Sequence, residues 1–322
     1  MKIRETEEYD LEFERPLAEL AEKIRVMRKE GRELENPVQL QEAVEKLRTQ
    51  MQEIYTTLNV WQTLEVAQHE DRPQAMDYIH LMCEDFLDLH SNQILGEEPT
   101  LIGGPAIFNH KIVIFLGHQK GHGTRSRQFR DFGIPHPEEY RKAYRLMQMA
   151  GKFKFPVICL IDTPNSSPGL GDDEHGLLEA ITANRLLMAR LAVPVIAVII
   201  GEGGGDDVLA ISVVDRLLML EHSVYTVVYL PPEAASIHQH DTISAPQVVE
   251  ATPISARELL SKQIIDGLVS EPVGGAHRNA ILAARYLQVA LKDHLQDLKQ
   301  YSPKELIRMR NRRTALLSTL DR

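Results

Sequence analysis

Three glycine-containing loops are the first places in this sequence where chemistry is expected. They occupy residues 117–121, 168–171 and 201–205. Two of them directly follow short runs rich in β-branched residues, at 112–116 and 195–200, and a third such run lies at 157–161. Runs of this kind are typical of buried parallel strands. Because ligands of α/β proteins gather at the carboxyl ends of the strands, we expect the three loops to converge on one site.

The third loop has the strongest chemical signal. Gly203, Gly204 and Gly205 precede a segment whose residues predict the start of a helix. Backbone N–H groups at a helix N-terminus bind anions or a developing oxyanion, and glycine lets a ligand approach them closely. A tight turn without chemistry is the alternative. The spacing fits neither a dinucleotide fingerprint nor a P-loop.

Two acidic residues follow these glycines. Asp206 and Asp207 suit the first turn of a helix, where the helix dipole favours carboxylates. They also place negative charge where an anion would bind. This conflict is the main question that the sequence raises.

Other side chains give weaker signals. Gln119 and Lys120 follow the first predicted strand, and we expect them to face the same cleft as the third loop. A lysine there can attract a carboxylate or a phosphate, whereas a plain surface lysine is the alternative. No serine–histidine–aspartate arrangement is readable, and the two isolated cysteines and scattered histidines predict no metal site.

The alternation of strands, loops and helices from residue 101 onward predicts an α/β domain. Helices are predicted at 137–151, 174–191, 278–299 and from 302, and a further strand at 224–230. The four arginines of the last helix, at positions 308, 310, 312 and 313, predict a solvated face or a subunit contact.

The first hundred residues are predicted to be helical. Apolar residues recur at 17, 20, 24 and 27, and then at 40, 44, 47, 51, 54 and 58. The second set is a heptad stripe, which predicts an antiparallel helical hairpin and contact with another helix. Further helix is predicted at 75–89. Gly96 and Pro99 then mark a boundary, so we divide the chain into a helical region at 1–99 and a main domain at 100–322.

Composition restricts the function classes. The 322 residues include 36 Lys and Arg against 46 Asp and Glu, a net charge of −10. Apolar residues make up 43% and charged residues 25%, which excludes a disordered or fibrous chain. The negative charge argues against a general nucleic-acid binder. No apolar run is long enough to span a membrane and the start has no apolar signal core, so we expect a cytoplasmic protein.

Several longer strings identify a family resemblance. They are GHQKG at 117–121, YRKAYRLMQMA at 140–150, IDTP at 161–164, IGEGG at 200–204 and GGAHRN at 274–279. In this order they resemble the alpha subunit of the bacterial acetyl-CoA carboxylase carboxyltransferase, over nearly the whole chain. The resemblance implies a crotonase-like (ClpP/crotonase) α/β fold, a spiral of ββα units with an N-terminal helical segment.

The resemblance also implies an activity and partners. A carboxyl group moves from carboxybiotin, held on the biotin carboxyl carrier protein, to acetyl-CoA to give malonyl-CoA for fatty acid biosynthesis. The alpha subunit pairs with a beta subunit, commonly as an α2β2 tetramer. It binds no cofactor itself, carboxybiotin and acetyl-CoA are substrates, and zinc is expected only in the beta subunit.

The resemblance implies a role for particular residues. Backbone N–H groups of the glycine loop stabilise the ureido oxygen of biotin as charge develops. The positions that correspond to this oxyanion site are Gly204, Gly205, Asp206 and Asp207. The positions implied in substrate binding are Gln119, Lys120, Pro168, Gly169, Gly171 and Gly203.

The sequence departs from the family pattern around this site. Asp206 and Asp207 stand where the family has two glycines, and residues 165–169 and 230–236 differ as well. We therefore keep three hypotheses, in this order. The chain is a carboxyltransferase alpha subunit with weakened or changed activity, or a silent structural or regulatory alpha-like subunit beside a beta chain or a second alpha chain. In the third, Asp206 or Asp207 performs acid–base chemistry on a CoA thioester.

Overall fold

The computed structural model describes residues 9–29, 37–90, 100–163, 176–204, 211–226 and 255–317. Their strands are β1 (Leu101–Phe108), β2 (Lys111–His118), β3 (Val157–Ile161), β4 (Val195–Ile199), β5 (Glu202–Gly204), β6 (Arg216–Leu220), β7 (Val224–Thr226) and β8 (Gly267–Val269). The α-helices are α1 (Arg15–Lys29), α2 (Pro37–Thr56), α3 (Val60–Ala67), α4 (Ala75–Met82), α5 (Gly123–Phe129), α6 (Pro137–Phe153), α7 (Leu177–Arg190), α8 (Ala256–Ser261), α9 (Ala280–Leu298) and α10 (Pro303–Leu317).

A six-stranded sheet forms the centre, in the order β1-β2-β3-β4-β6-β8. The β1–β2 hairpin is antiparallel and the remaining neighbours are parallel. Strands β5 and β7 pair in parallel as a second, small sheet. Of the strand predicted at 224–230, the part after Thr226 lies outside the described residues. The carboxyl ends of the parallel strands β2, β3 and β4 lie at one edge of the sheet, as the sequence predicts, whereas the loop at 168–171 lies outside the described residues.

Both faces of the large sheet are covered, which explains the continuous apolar runs of β3 and β4. On one face, alternate residues such as Cys159 pack with Tyr140 of α6 and Ile181 of α7. On the other, the intervening residues such as Leu160 pack with helices α4 and α9. The chain is therefore a three-layer α/β structure with the sheet in the middle.

The segment after α4 differs from the prediction. Helix was expected over 75–89, but α4 ends at Met82. The chain then runs beside the edge strand β1, where the N–H groups of Leu87 and Leu89 donate to Pro105 O at 3.0 Å and Gly103 O at 2.8 Å. A Cβ at Gly104 would lie 1.9 Å from Leu87 O, so glycine permits this close approach. Pairing to β1 outweighs the local helical pattern.

The N-terminal helices α1 and α2 pack on each other. The heptad stripe on α2 is only partly covered. Leu47 and Met51 are half-buried and Val44 is 37% exposed. The helical region is tied to the main domain through Glu14, which accepts hydrogen bonds from Tyr55 at 2.7 Å and Arg278 at 2.6 Å. The division at residues 99 and 100 stays a prediction.

The last helix corrects the expectation for its arginines. Arg308 and Arg312 are exposed, but Arg310 is fully buried. Its guanidinium donates to both carboxylate oxygens of Asp215, at 3.0 and 2.7 Å. It also donates to the carbonyl oxygens of Met188, Leu191 and Val193. Arg310 thus fixes α10 against α7 and the start of β6. No helix of the described ranges is long and apolar enough to cross a membrane.

Candidate active site

Three charged side chains meet where β2, β3 and β4 end. Lys120 follows β2, Asp162 follows β3, and Glu202 begins β5 directly after the β4 turn. Lys120 Nζ lies 2.7 Å from Asp162 Oδ1 and also contacts Glu202 Oε2. The structure therefore brings Lys120 to the start of β5 (Glu202–Gly204), which we call the glycine strand. We call Lys120, Asp162 and Glu202 the strand-end cluster.

The strand-end cluster holds the backbone of β5. Glu202 N donates to Asp162 Oδ1 at 2.9 Å, and Thr163 N donates to Glu202 O at 3.0 Å. A Cβ at Gly201 would lie 2.4 Å from Asp162 Oδ1, so glycine is required for this approach. The entry of the chain into the glycine strand is fixed by the end of β3.

The cluster is largely shielded from water. The side chains of Lys120, Asp162 and Glu202 are 15%, 6% and 13% exposed. Burial on its own would lower the pKa of Lys120, but the neighbouring carboxylates of Asp162 and Glu202 outweigh it and raise that pKa above its usual value. Lys120 is therefore a charged, paired ammonium at neutral pH.

The glycine run begins as a strand. Gly203 and Gly204 pair with Tyr225 and Thr226 of β7. A Cβ at Gly203 would lie 3.1 Å from Ile199 Cδ1 and 3.2 Å from a ring carbon of Tyr225, tighter than ordinary packing. The sequence predicted a loop over the whole of 201–205, whereas the structure has a short strand at Glu202–Gly204.

Gln119 does not join the strand-end cluster as Lys120 does, but bonds to residues at the start of α4. Its side chain is 6% exposed, accepts from Met76 N at 3.0 Å and donates to Gln74 Oε1 at 2.9 Å. These bonds join the end of β2 to the start of α4.

His118, the last residue of β2, is fully buried, and desolvation lowers the pKa of its imidazole to about 3. This ring is neutral at physiological pH.

A second buried network lies behind the glycine strand. Arg72 donates to both oxygens of Glu271, at 2.6 and 3.1 Å, to Ile200 O at 2.8 Å and to Ser223 Oγ at 3.2 Å. Burial would raise the pKa of Glu271, but the Arg72 guanidinium and His222 hold it well below its usual range. This network joins the residues just before β5 and β7. The sequence assigned this network no role, because Arg72 and Glu271 lie 199 positions apart and no local motif joins them.

Six predicted site positions lie outside the described residues. They are Gly205, Asp206, Asp207, Pro168, Gly169 and Gly171. Their assignment, and the substrate-binding roles of Gln119, Lys120 and Gly203, stay predictions. Among the described positions, Lys120, Gly203 and Gly204 belong to one edge of the sheet.

The fold is the crotonase-like α/β fold. Solved structures with this fold include a Pseudomonas malonate decarboxylase hetero-tetramer in complex with coenzyme A, with a TM-score of 0.56 and 15% identity over 76% of this chain and 96% of that one. Another is transcarboxylase 12S, with a TM-score of 0.52 and 15% identity over 72% of this chain and 44% of that one.

The sequence comparisons are more specific. Residues 10–318 match the family described as acetyl co-enzyme A carboxylase carboxyltransferase-like. The acetyl-coenzyme A carboxylase carboxyl transferase subunit alpha of Heliobacterium modesticaldum is 44% identical, over 92% of this chain and 89% of that protein. The same subunit of Bordetella avium is 43% identical, over 93% and 94%. The chain belongs to the family of acetyl-CoA carboxylase carboxyltransferase alpha subunits, and the resemblance and the fold class predicted from sequence are confirmed.

Proposed function

We propose that this chain is the alpha subunit of an acetyl-CoA carboxylase carboxyltransferase, which moves a carboxyl group from carboxybiotin to acetyl-CoA to give malonyl-CoA. The observation that carries the proposal is the 40–44% identity to such alpha subunits over more than nine-tenths of the chain. The comparisons do not favour the silent alpha-like subunit. The third hypothesis needs a catalytic base that works together with Asp206 or Asp207, and the sequence offers no candidate for it.

The chain's contribution to the reaction is backbone chemistry. When the carboxyl group leaves biotin, negative charge develops on the ureido oxygen. Preorganised N–H donors stabilise such charge, each contributing about 3 kcal/mol. Gly203 and Gly204 suit this role because they keep the backbone of β5 free of side chains where the strand ends converge. We assign the N–H groups from Gly204 to Asp207 to this oxyanion site.

The strand-end cluster positions that backbone. One ammonium faces two carboxylates, so Lys120 has its charge compensated inside the protein. A compensated cation attracts a substrate anion less than a free one. We therefore assign to Lys120 mainly the task of holding Glu202, and with it the start of the glycine strand. We also propose that Lys120 contacts the substrate, as a second and lesser role.

The remaining parts of the reaction belong to other chains. We propose that a beta subunit supplies the acetyl-CoA side of the site and carries the zinc. A carrier protein delivers carboxybiotin, and this chain binds no cofactor of its own. The structural neighbour from Pseudomonas is itself a hetero-tetramer, which supports a site shared between subunits.

The direct test is carboxyl transfer by the purified complex. The chain is co-purified with its cognate beta subunit, and malonyl-CoA is measured with carboxybiotinylated carrier protein as donor. We expect malonyl-CoA only when both subunits are present, at a lower rate than with the Bordetella avium subunits as the positive control. A complex that assembles fully and transfers no carboxyl group would contradict the proposal.

A further inference from the structure

A groove opens at the opposite edge of the sheet from the strand-end cluster. Its volume is about 700 Å³, within the range of small-molecule sites. Lys111, at its wall, begins β2, while Pro156 and Pro194 directly precede β3 and β4. The groove therefore lies at the amino ends of the parallel strands. Its distance from the glycine strand is about 15 Å, the length of a five-residue strand.

The walls combine apolar and basic groups. Ile112, 44% exposed, and the half-buried Phe155 supply the apolar surface, while Phe108, Val113 and Leu295 are buried beneath it. Four lysines also line the groove, namely Lys111, Lys154, Lys292 and Lys299. None of the described residues that line it is an aspartate or a glutamate. In a chain of net charge −10, this is a marked local excess of positive charge.

Two of these lysines are placed against each other. Lys111 neighbours Lys299, and this cationic neighbour, together with desolvation, lowers the pKa of Lys299. Within the described ranges, none of the four lysines forms an ion pair with a carboxylate. Adjacent like charges repel unless an anion lies between them. The four lysines are exposed to water, so together they offer an external anion an accessible basic site.

One backbone position at the groove is unusual. Lys154, which lines it, is held in the left-handed region with φ of 60°, whereas Asn109 and His110, with φ of 49° and 60°, form the two-residue β1–β2 turn, where positive φ is ordinary. Lys154 caps the end of α6, where glycine is the usual residue. A lysine keeps this costly conformation although glycine would relieve it. Strain of this kind clusters at ligand-binding positions.

We propose that this groove binds a small organic phosphate of nucleotide size. Its phosphoryl groups lie between Lys111 and Lys299, and its planar apolar part packs on the surface around Phe155 and Pro156. A doubly charged phosphoryl group matches two neighbouring ammonium groups better than a carboxylate does. A long polyanion fits less well, because the lysines line a concave groove and the remaining surface carries net negative charge.

The test uses a fluorescent probe on the full chain and on its complex with the beta subunit. N-methylanthraniloyl-ADP is titrated and its anisotropy followed. We expect saturable binding that weakens at least tenfold in the double variant Lys111→Ala/Lys299→Ala. The matched control is Lys46→Ala/Lys304→Ala, which removes the same charge at exposed positions elsewhere and leaves affinity unchanged.

A second variant separates binding from folding. Lys154→Gly removes one groove charge and relieves the left-handed backbone, so we expect weaker probe binding with an unchanged or higher melting temperature. Carboxyl transfer is measured in parallel and is expected to stay intact in all groove variants. Failure of this proposal is thus distinguishable from failure of the proposed function.

Several results would overturn the proposal. One is equal affinity in the groove variant and the surface control. Another is competition by inorganic pyrophosphate as strong as by ADP, which would indicate an adventitious ion only. Stronger binding of poly-glutamate than of the nucleotide probe would point to an acidic peptide instead. Loss of probe binding when the beta subunit associates would show that the groove is a subunit contact.

Discussion

Lys120 is the residue at which the sequence-based interpretation and the contacts differ most. The sequence presents it as a lysine after a strand, available to a substrate anion. In the structure its ammonium lies between Asp162 and Glu202, with little exposure to water. Its first effect is therefore on the protein itself, because removing one member of a buried ion pair leaves uncompensated charge behind.

This argument predicts the effect of Lys120→Met. We expect a loss of about 3 kcal/mol in the free energy of unfolding, and a fall in kcat that exceeds the change in KM, since the start of β5 loses its anchor. Urea unfolding and steady-state kinetics measure both. The control is Lys262→Met, whose exposed pair with Glu258 is worth about 0.5 kcal/mol or less. Equal unfolding midpoints for the two variants would contradict the positioning role.

The two aspartates after the glycines carry the next prediction. Two unit charges about 4 Å apart cost ~4 kcal/mol at an effective dielectric of 20, and ~1.4 kcal/mol slows a reaction tenfold. A carboxylate close to the developing ureido oxyanion thus slows transfer. We expect Asp206→Gly with Asp207→Gly to raise the rate of the complex tenfold or more, although each glycine costs up to ~1 kcal/mol of stability if the segment is helical.

The matching control separates charge from bulk. Asp206→Asn with Asp207→Asn removes the charge and keeps the volume, so it is expected to recover most of the gain if charge is the cause. Rates are compared under conditions where the chemical step is limiting. A wild-type rate equal to both double variants would show that these carboxylates turn away from the oxyanion.

At the scale of elements, helix α10 depends on one buried arginine. Arg310 makes hydrogen bonds to Asp215 and to carbonyl oxygens after and within α7. We expect Arg310→Ala to lower the free energy of unfolding by about 3–5 kcal/mol, because Asp215 is left buried and unpaired. Thermal unfolding measures this, and Arg312→Ala, at an exposed position on the same helix, serves as the control with little change. A small shift for both variants would mean that α10 is held by its other contacts.

The network of Arg72 and Glu271 behind the glycine strand predicts that the stability of the fold falls at acid pH. The folded state holds the pKa of Glu271 well below its usual value of about 4.3. A carboxyl group with a lowered folded pKa contributes stability above its unfolded pKa, and this contribution is lost as the pH falls through the folded pKa. We expect Glu271→Gln to be less stable at pH 7 and to lose less of its remaining stability below about pH 4. Urea midpoints from pH 7 to 3 test this, with Glu258→Gln as an exposed control whose profile is expected to follow the wild type.

The elements that sequence predicts well are those whose local pattern and burial agree. Strands β3 and β4 are continuous β-branched runs, and α6 begins at Pro137 as predicted. Strand β1 was missed because Gly103, Gly104 and Pro105 interrupt its apolar pattern, and the edge position permits them. The position of Lys120 beside β5 follows from its place after a strand, and its role in the site stays a prediction. Arg72 and Glu271 are 199 positions apart, so only the fold joins them.

At the scale of the whole molecule, helix α2 leaves apolar surface uncovered. Its stripe was predicted to meet another helix, and α1 covers only part of it. Leu40 is half-buried and Val44 is 37% exposed. Single exposed apolar residues are ordinary, but a regular half-covered stripe is typical of a helix that packs against a further partner.

We therefore expect this chain to act in an assembly that contains at least two alpha-type chains and a beta-type chain. Light scattering of the co-purified complex measures its mass. Val44→Glu places a charge on the uncovered part of the stripe, and burying an unpaired charge at an interface is costly, so the mass is expected to fall while helix content is kept. Gln52→Glu adds the same charge at an exposed polar position of α2 outside the stripe and is expected to leave the mass unchanged. If the wild-type chain is a well-folded monomer both with and without the beta chain, the stripe of α2 has no partner in another chain, and its regularity reflects packing against α1 and against the main domain at Gly274.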